Sequence, residues 1–238
     1  VYVGTNDYLL RHPTCKSTKG GLVLCLDEAT GEMIWRLVVP RYITKDRLFN
    51  FNKLNLGVCS SPTVEGDRVY IVTSRGEAMC LDVNGLADGN DGPFTDEGQY
   101  LVGPGKKPVE LEDDDADIIW VFDMIKELPV WPQDAASSSI LIDGDLLYVN
   151  TSNGVDRTHD RVPLPLAPSL IVMDKKTGRV VAVDDEKMGT RLYHGLWSSP
   201  SKGVVNGKMQ IFYGGGEGTV YAFEALGGVP KASVKLKK

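Results

Sequence analysis

The stretch "DVNGLADGND", which begins at Asp82, is rich in oxygen-bearing side chains. Its donors are Asp82, Asn84, Asp88, Asn90 and Asp91. Hard oxygen ligands at close spacing are what Ca²⁺ requires, and the intervening glycines let the backbone turn. The register of a twelve-residue EF-hand loop with a terminal Glu does not fit. The sequence therefore offers a calcium site as one interpretation, but it favours a solvated turn in which Asp and Asn bind their own backbone.

The stretch "CLDEATGEMIW", from Cys25 to Trp35, carries polar residues that serve structure rather than catalysis. Asp27 can accept hydrogen bonds from the amides that follow it, and Thr30 can do the same more weakly. Gly31 supplies a positive φ without steric cost. We therefore expect a β-hairpin, with the indole packed on its return strand.

Strand-like segments recur in a fixed order along the chain, which indicates a repeat architecture. Strand A begins with small hydroxyl residues and ends at a tight turn, strands B and C are apolar, and strand D closes the unit. The chain reads B-C-D, A-B-C-D, A-B-C-D and A-B-C, with a last D only begun at "ASVKLKK". This order predicts an all-β fold, a β-propeller of about four four-stranded antiparallel blades over residues 1–238, with an insertion at about 83–117.

The repeated motif resembles the pyrroloquinoline-quinone (PQQ) type of propeller repeat, Ala-x-Asp-x-x-Thr-Gly-x-x-x-Trp. The matching residues are Asp27, Thr30, Gly31 and Trp35 in the first copy, Asp82 and Trp120 in the second, and Asp174, Thr177 and Gly178 in the third. Cys25 and Cys80 replace the Ala, Ala182 stands where the third Trp is expected, and Glu224 replaces the last Asp. The resemblance implies a ring of seven or eight blades, of which this chain would form roughly half.

The PQQ-type repeat occurs both in quinoprotein dehydrogenases and in non-catalytic scaffolds such as the BamB-like subunit of outer-membrane assembly. The quinoprotein enzymes imply adjacent cysteines near the cofactor, a Ca²⁺ ion and an Asp general base. The four cysteines here, at 15, 25, 59 and 80, include no adjacent pair and no metal-ligand spacing. We therefore expect a non-catalytic scaffold or binding module that does not use PQQ, with calcium as the one cofactor to consider. A fragment of a quinoprotein-type alcohol or sugar dehydrogenase is the alternative.

The long connections predict where a ligand or partner would bind. In a four-stranded blade the B–C and D–A connections share one face, and these are the long ones here. They carry all three histidines, together with aromatic and arginine side chains. We expect this face to bind a protein partner or a small ligand through His12, Tyr42, Arg47, Trp131, Arg157, His159, Tyr193 and His194. The competing interpretation is that the loops only pack on themselves, and the wide spacing of the histidines does not indicate a metal.

Composition and charge limit which classes of partner and which cellular location we expect. The formal net charge of −6 over 238 residues argues against nucleic acid as a partner. No apolar run is long enough to span a bilayer. We expect a periplasmic or otherwise extracytoplasmic protein whose signal peptide has been removed. Because the strand order begins at a B strand and ends early in a D strand, we also expect open blade edges that favour self-association.

Overall fold

The computed structural model describes residues 1–41, 55–134 and 136–238. Its strands form four sheets that follow one another along the chain, and the consecutive strands of each sheet pair antiparallel. Blade one contains β1 (Tyr2–Asn6), β2 (Gly21–Leu26) and β3 (Met33–Val39), and blade two contains β4 (Thr63–Glu65), β5 (Arg68–Val72), β6 (Glu77–Asp82) and β7 (Ile118–Asp123). Blade three contains β8 (Leu141–Asp143), β9 (Leu146–Asn150), β10 (Leu170–Asp174) and β11 (Val180–Val183), and blade four contains β12 (Ser201–Val205), β13 (Lys208–Gly214) and β14 (Val220–Glu224). The predicted all-β propeller architecture is confirmed.

Helical structure in the described residues is limited to short segments. Helix α1 (Glu97–Val102) lies in the insertion between β6 and β7, and α2 (Met124–Glu127) follows β7 directly. The carboxylate of Asp123 caps α2 by accepting hydrogen bonds from the amides of Ile125 and Lys126. One 3₁₀ turn follows β6 at Gly85–Asp88, and another follows β11 at Met188–Thr190.

Alternate residues of each strand supply two different cores. In β5, Val69 and Ile71 belong to the apolar cluster shared with blade one, whereas Val72 and the ring of Tyr70 belong to the cluster shared with blade three. All four side chains are buried. Because side chains alternate with a period of two, a register slip of one residue would place each of them between the wrong pair of blades.

The Asp-x-x-Thr-Gly turn is held by the side chains that the sequence indicated. Asp27 Oδ1 accepts hydrogen bonds from the amides of Ala29 and Thr30 and from the Thr30 hydroxyl. These bonds lower the pKa of Asp27 below its usual value, the amide and hydroxyl of Thr30 being the largest causes. Gly31 follows with a φ of +72°, which a glycine adopts without strain.

Tryptophans of the motif join consecutive blades. The Trp35 indole of blade one donates from Nε1 to the carbonyl oxygen of Val83 in blade two, at 2.8 Å. The Trp120 indole of blade two donates to the carbonyl oxygen of Lys175 in blade three, at 3.1 Å. Both indoles are buried, and each acceptor directly follows a motif aspartate in the sequence. The same contact therefore links blade one to blade two and blade two to blade three.

The last strand does not pair as the repeat order predicts. Strand β15 (Val234–Lys235) pairs parallel with β11 at the outer edge of blade three, instead of forming a fourth strand of blade four. The residues after β15 reach blade four: the carbonyl of Lys237 accepts a hydrogen bond from the Glu224 amide, and the ammonium group of Lys238 lies over the Tyr221 ring. The interpretation of "ASVKLKK" as a begun D strand is therefore wrong for β15, because β11 offers a free edge that the intervening chain reaches first.

The insertion of blade two covers the outer edge of blade one in the same way. The amide of Arg36 in β3 donates to the carbonyl of Asp114, and the amide of Ala116 donates to the carbonyl of Arg36, which makes a parallel bridge. The Arg36 guanidinium also contacts the Asp114 carboxylate at 2.6 Å. Further along, the Tyr100 hydroxyl of α1 bonds Glu77 at the start of β6. The insertion thus starts on one side of blade two and packs back along the junction of blades one and two.

Candidate functional site

A row of aromatic rings lies on the loop-rich face of blades three and four. The ring centroids of His159 and His194 are 4.5 Å apart, and those of His194 and Trp197 are 5.0 Å apart. Tyr193 adjoins them in sequence and is 83% exposed, and Trp197 is 45% exposed. We call Tyr193, His194, Trp197 and His159 the aromatic row. Large rings left open to solvent beside one another are uncommon on a surface with no binding role.

The B–C loop of blade three positions His159 through a compact acid-centred turn. Asp156 accepts hydrogen bonds from the amide and hydroxyl of Thr158 and from Nε of Arg161, the last at 2.7 Å. These bonds lower the pKa of Asp156 to about 2, with the Thr158 hydroxyl as the largest cause and Arg161 next. His159 itself has a φ of +63°, an uncommon conformation for a residue other than glycine. The loop is therefore ordered by local polar contacts around the histidine.

Three loops meet under the aromatic row. The backbone amide of Trp131 donates to Asn153 Oδ1 at 2.8 Å, and the carbonyl of Trp131 accepts from the Gly154 amide at 2.9 Å. The amide of Val155 in turn donates to the carbonyl of His194 at 3.0 Å. The loop before blade three, the B–C loop of blade three and the loop before blade four are thereby joined through main-chain contacts, which fixes the positions of the rings that they carry.

Polar atoms without hydrogen-bond partners lie beneath this surface. Gln133 is 1% exposed, and neither atom of its side-chain amide has a partner. Nδ1 of His194 is also buried and unpartnered. A methyl group placed on Gly195 would lie 2.8 Å from Gln133 Oε1 and 3.0 Å from Cε2 of Trp197, so the amide and the indole flank the same glycine. Polar atoms of this kind need a partner from outside the chain, either water or a ligand.

The structure brings together only part of the set that the sequence predicted. Tyr193, His159 and His194 lie together, and Trp131 anchors the loops below them, while Arg157 is exposed in the same B–C loop. The predicted Tyr42 and Arg47 lie outside the described residues. Gln133 and Trp197 were missed, although both belong to the long connections that carry the predicted residues.

His12 does not belong to the same surface, which corrects the sequence-based grouping. Its imidazole is fully buried, with Nε2 3.2 Å from the Asp115 carboxylate in the insertion of blade two. Nδ1 of His12 accepts hydrogen bonds from the amides of Thr14 and Cys15. The B–C loop of blade one therefore folds back against the insertion, and its histidine serves the fold.

The five predicted calcium ligands do not converge either. Asp82 contacts Arg68 at 2.6 Å and accepts from the amide of Asn84, whose side chain donates to Asp88 at 2.8 Å. The contact between Asp82 and the Asn84 amide is the local kind that a turn makes, although Asp82 itself is 3% exposed. Asn90 and Asp91 lie further along and bond Glu97 and Asp117. Within residues 1–41, 55–134 and 136–238, no group of three or more His, Cys, Asp or Glu side chains is arranged to hold a metal ion.

The cysteines do not supply the adjacent pair that the resemblance to quinoprotein enzymes implies. Cys15, Cys25 and Cys80 are buried at separate places, Cys59 is exposed, and none of the four is adjacent to another in sequence. Burial is the largest cause that raises the pKa of each thiol, to about 12 for Cys80, and a raised pKa disfavours the reactive thiolate form. No helix in the described residues is long and apolar enough to cross a membrane.

Three- and four-stranded meanders joined by repeated tryptophan contacts define the chain as part of a β-propeller of the PQQ-like repeat class. Residues 14–235 match the family described as outer membrane protein assembly factor BamB, and the chain belongs to that family. A search of curated proteins returned no match.

Solved structures with a similar fold come from both branches of the repeat class. A quinohemoprotein alcohol dehydrogenase from Pseudomonas putida is 19% identical over 76% of this chain and 20% of that chain, with a TM-score of 0.42. BamB from Moraxella catarrhalis is 14% identical over 85% of this chain and 43% of that chain, with a TM-score of 0.38. A quinohemoprotein alcohol dehydrogenase from Comamonas testosteroni is 11% identical over 91% of this chain and 31% of that chain, with a TM-score of 0.45. The chain therefore spans less than half of each of these proteins.

Proposed function

We propose that this chain is a non-catalytic binding scaffold that acts outside the cytoplasm and holds a protein partner on the aromatic row. The observation that carries the proposal is the row itself, in which Tyr193 and Trp197 are exposed beside the neighbouring rings of His159 and His194. Tyrosine and tryptophan are enriched at the energetic centres of protein interfaces, because one rigid side chain there buries a large area.

The support beneath the row also favours binding. The loops are joined by main-chain hydrogen bonds, so the rings are held in place before a partner arrives and little ordering entropy is lost on association. The Asp156 carboxylate in the loop that carries His159 accepts from Thr158 and Arg161 rather than from a histidine ring. These features fit a surface that recognises a partner and performs no chemistry on it.

Membership of the BamB family supports the proposed location outside the cytoplasm. Its description, outer membrane protein assembly factor BamB, refers to work at a membrane outside the cytoplasm. A protein partner there is consistent with the formal net charge of −6, which disfavours nucleic acid. The same family assignment makes a second protein a better candidate for the aromatic row than a small molecule.

Site-specific photocrosslinking tests the proposal. A photoreactive benzoylphenylalanine at Tyr193 should capture a partner in cells that produce the protein, whereas the same group at Tyr8 should not. Tyr8 is the matched control because it is 70% exposed in the B–C loop of blade one, away from the row. With the captured partner purified, Trp197→Ala should weaken binding by about 30-fold, the loss of a hot-spot residue worth ~2 kcal/mol.

A quinone titration tests the alternative, that the chain is part of a quinoprotein oxidoreductase. PQQ with Ca²⁺ is added to the purified chain, and binding is followed by absorbance and by reduction of a dye in the presence of an alcohol. Saturable PQQ binding with alcohol-dependent dye reduction would favour the quinoprotein oxidoreductase and contradict the scaffold. Equal crosslinking from Tyr193 and Tyr8, or an unchanged affinity of the Trp197→Ala variant, would contradict the aromatic row as the binding surface.

A further inference from the structure

Two acidic side chains are buried where the insertion of blade two rejoins the sheet. Glu97 begins α1 and is 1% exposed, and Asp117 immediately precedes β7 and is fully buried. One oxygen of each is bonded: Glu97 Oε2 accepts from the side-chain amide of Asn90 at 3.0 Å, and Asp117 Oδ2 accepts from the backbone amide of Asp91 at 2.8 Å. The other oxygens, Glu97 Oε1 and Asp117 Oδ1, are buried and have no partner.

The charges around these two carboxylates are negative. Neither forms an ion pair with a Lys, Arg or His side chain in the part of the chain that the structure describes. The pKa of Asp117 is raised to about 6, mainly by burial, and the carboxylates of Glu97, Asp82 and Asp91 raise it further. Buried acids are normally paired with a cation or lie close to one, because an uncompensated buried charge is costly.

The chain connects the two acids and leaves an entrance to them. Asn90 and Asp91 are neighbours in sequence, so the contacts that they make bring Glu97 and Asp117 to the same turn of the insertion. Both residues of this turn are exposed, and a solvated ion can therefore approach. The carbonyl oxygen of the Asn90 side chain is not used by the contact to Glu97, since the amide nitrogen makes that bond.

We propose that Glu97 and Asp117, together with the side-chain oxygen of Asn90, bind a Ca²⁺ ion. Calcium accepts carboxylate, amide, main-chain and water oxygens in a flexible shell of six to eight ligands, so two acidic side chains are sufficient. The ion neutralises the two buried charges and fastens the insertion to β7. This site differs from the one that the sequence suggested, because Asp82, Asn84 and Asp88 are occupied by contacts among themselves and with Arg68.

The site is independent of the aromatic row, since it lies in the insertion of blade two. Only two of its ligands are charged, so we expect the affinity of the weaker calcium-binding modules, with a Kd of roughly 10⁻⁴–10⁻³ M. Such a site is filled where calcium is millimolar and empty where it is scarce. Failure of the partner-binding proposal would leave the calcium proposal unaffected, and the reverse also holds.

Thermal unfolding of the whole chain in CaCl₂ and in EGTA tests the site. The melting temperature should rise on the order of 5 °C at about 10 mM Ca²⁺ and return to its starting value with excess EGTA. Calorimetric titration of CaCl₂ into EGTA-stripped protein should give one site per chain. Mg²⁺ at the same concentration should produce a smaller shift, because it requires a stricter octahedral shell.

Two variants and a matched control locate the ion. Glu97→Gln and Asp117→Asn should each abolish the calcium-dependent shift, whereas Asp88→Asn should keep it, because the Asp88 carboxylate is bonded to the side chain of Asn84 and not to either buried acid. The Glu97→Gln variant keeps the test valid if Asp117→Asn fails to fold. Absence of a calcium shift in the wild-type chain would overturn the proposal. Retention of the shift in both variants would also overturn it.

Discussion

The motif tryptophan of blade one packs against blade two, and that of blade two packs against blade three. Blade three has an alanine, Ala182, at the equivalent position next to blade four. Register alignment makes the equivalence clear, because Trp35 pairs with Cys25, Trp120 pairs with Cys80, and Ala182 pairs with Val172 at the same place in their blades. Ala182 is nonetheless fully buried. The junction between blades three and four is therefore closed by something other than an indole.

Strand β15 and the residue after it supply the missing contacts. Strand β15 pairs with β11, and the following residue, Leu236, is 6% exposed within the apolar cluster of blades three and four. The amide of Leu226 donates to the Tyr148 hydroxyl at 3.0 Å, which adds a polar contact across the same junction. A junction between blades thus has to be filled and hydrogen-bonded, and the motif tryptophan is one of two ways in which this chain achieves that.

The largest expected effect tests the tryptophan junctions. Trp120→Ala should lower the free energy of unfolding by about 3–5 kcal/mol, because it leaves a cavity between blades two and three and removes the hydrogen bond to Lys175. Urea denaturation of the variant measures the loss. Trp197→Ala is the control, because Trp197 is 45% exposed and its removal should cost far less. Equal losses for the two variants would break the distinction between structural and surface indoles.

The junctions also show what the sequence could and could not reveal. Asp27, Thr30, Gly31 and Trp35 were predictable because each interaction is local or falls at a fixed place in the repeat. The pairing of β15 was not, because it joins chain segments about fifty residues apart and depends on which edge is free. The environments of His12 and Gln133 were unpredictable for the same reason. The contact of His12 with Asp115 joins residues 103 positions apart, and Gln133 is buried by loops that fold over it.

A matched pair of glycine variants sharpens the comparison at the turn that meets the indole. A methyl group on Gly178 would lie 2.6 Å from Cε3 of Trp120, whereas one on Gly31 would have no neighbour within 4 Å. Both residues have a positive φ, +68° and +72°, so Ala introduces the same backbone strain of about 1–2 kcal/mol at each. Gly178→Ala should therefore cost about 1–3 kcal/mol more than Gly31→Ala, through overpacking against the ring. Chemical denaturation of the two variants measures this difference. Similar losses of unfolding free energy would show that the Trp120 ring moves aside without loss of stability.

Leu236→Ala tests the junction that has no tryptophan. The side chain is buried near the end of the described chain, where neighbouring residues can partly fill the space that it leaves. We expect a loss of about 2–3 kcal/mol, at the low end of the range for buried leucines. Val229→Ala serves as the control, because Val229 is 37% exposed and lies in the connection that leads to β15. A loss no greater than that of the control would mean that the chain end does not close this junction.

The smallest expected effect concerns the turn of blade one, which no tryptophan covers in the described residues. The pKa of Asp27 is lowered from its usual value of 3.8 by the amide and hydroxyl of Thr30 and the amide of Ala29. A carboxyl whose pKa is lower in the folded chain adds stability above pH 3.8, and that stability disappears as the pH falls through the folded value. Asp27→Asn keeps an acceptor oxygen but has no charge to lose. The wild-type chain should therefore be more stable than the variant at pH 7, and the difference should shrink towards zero as the pH is lowered below about 3.8. Urea denaturation of both proteins across this range measures it, and a difference that does not change with pH would show that the charge of Asp27 contributes nothing to the turn.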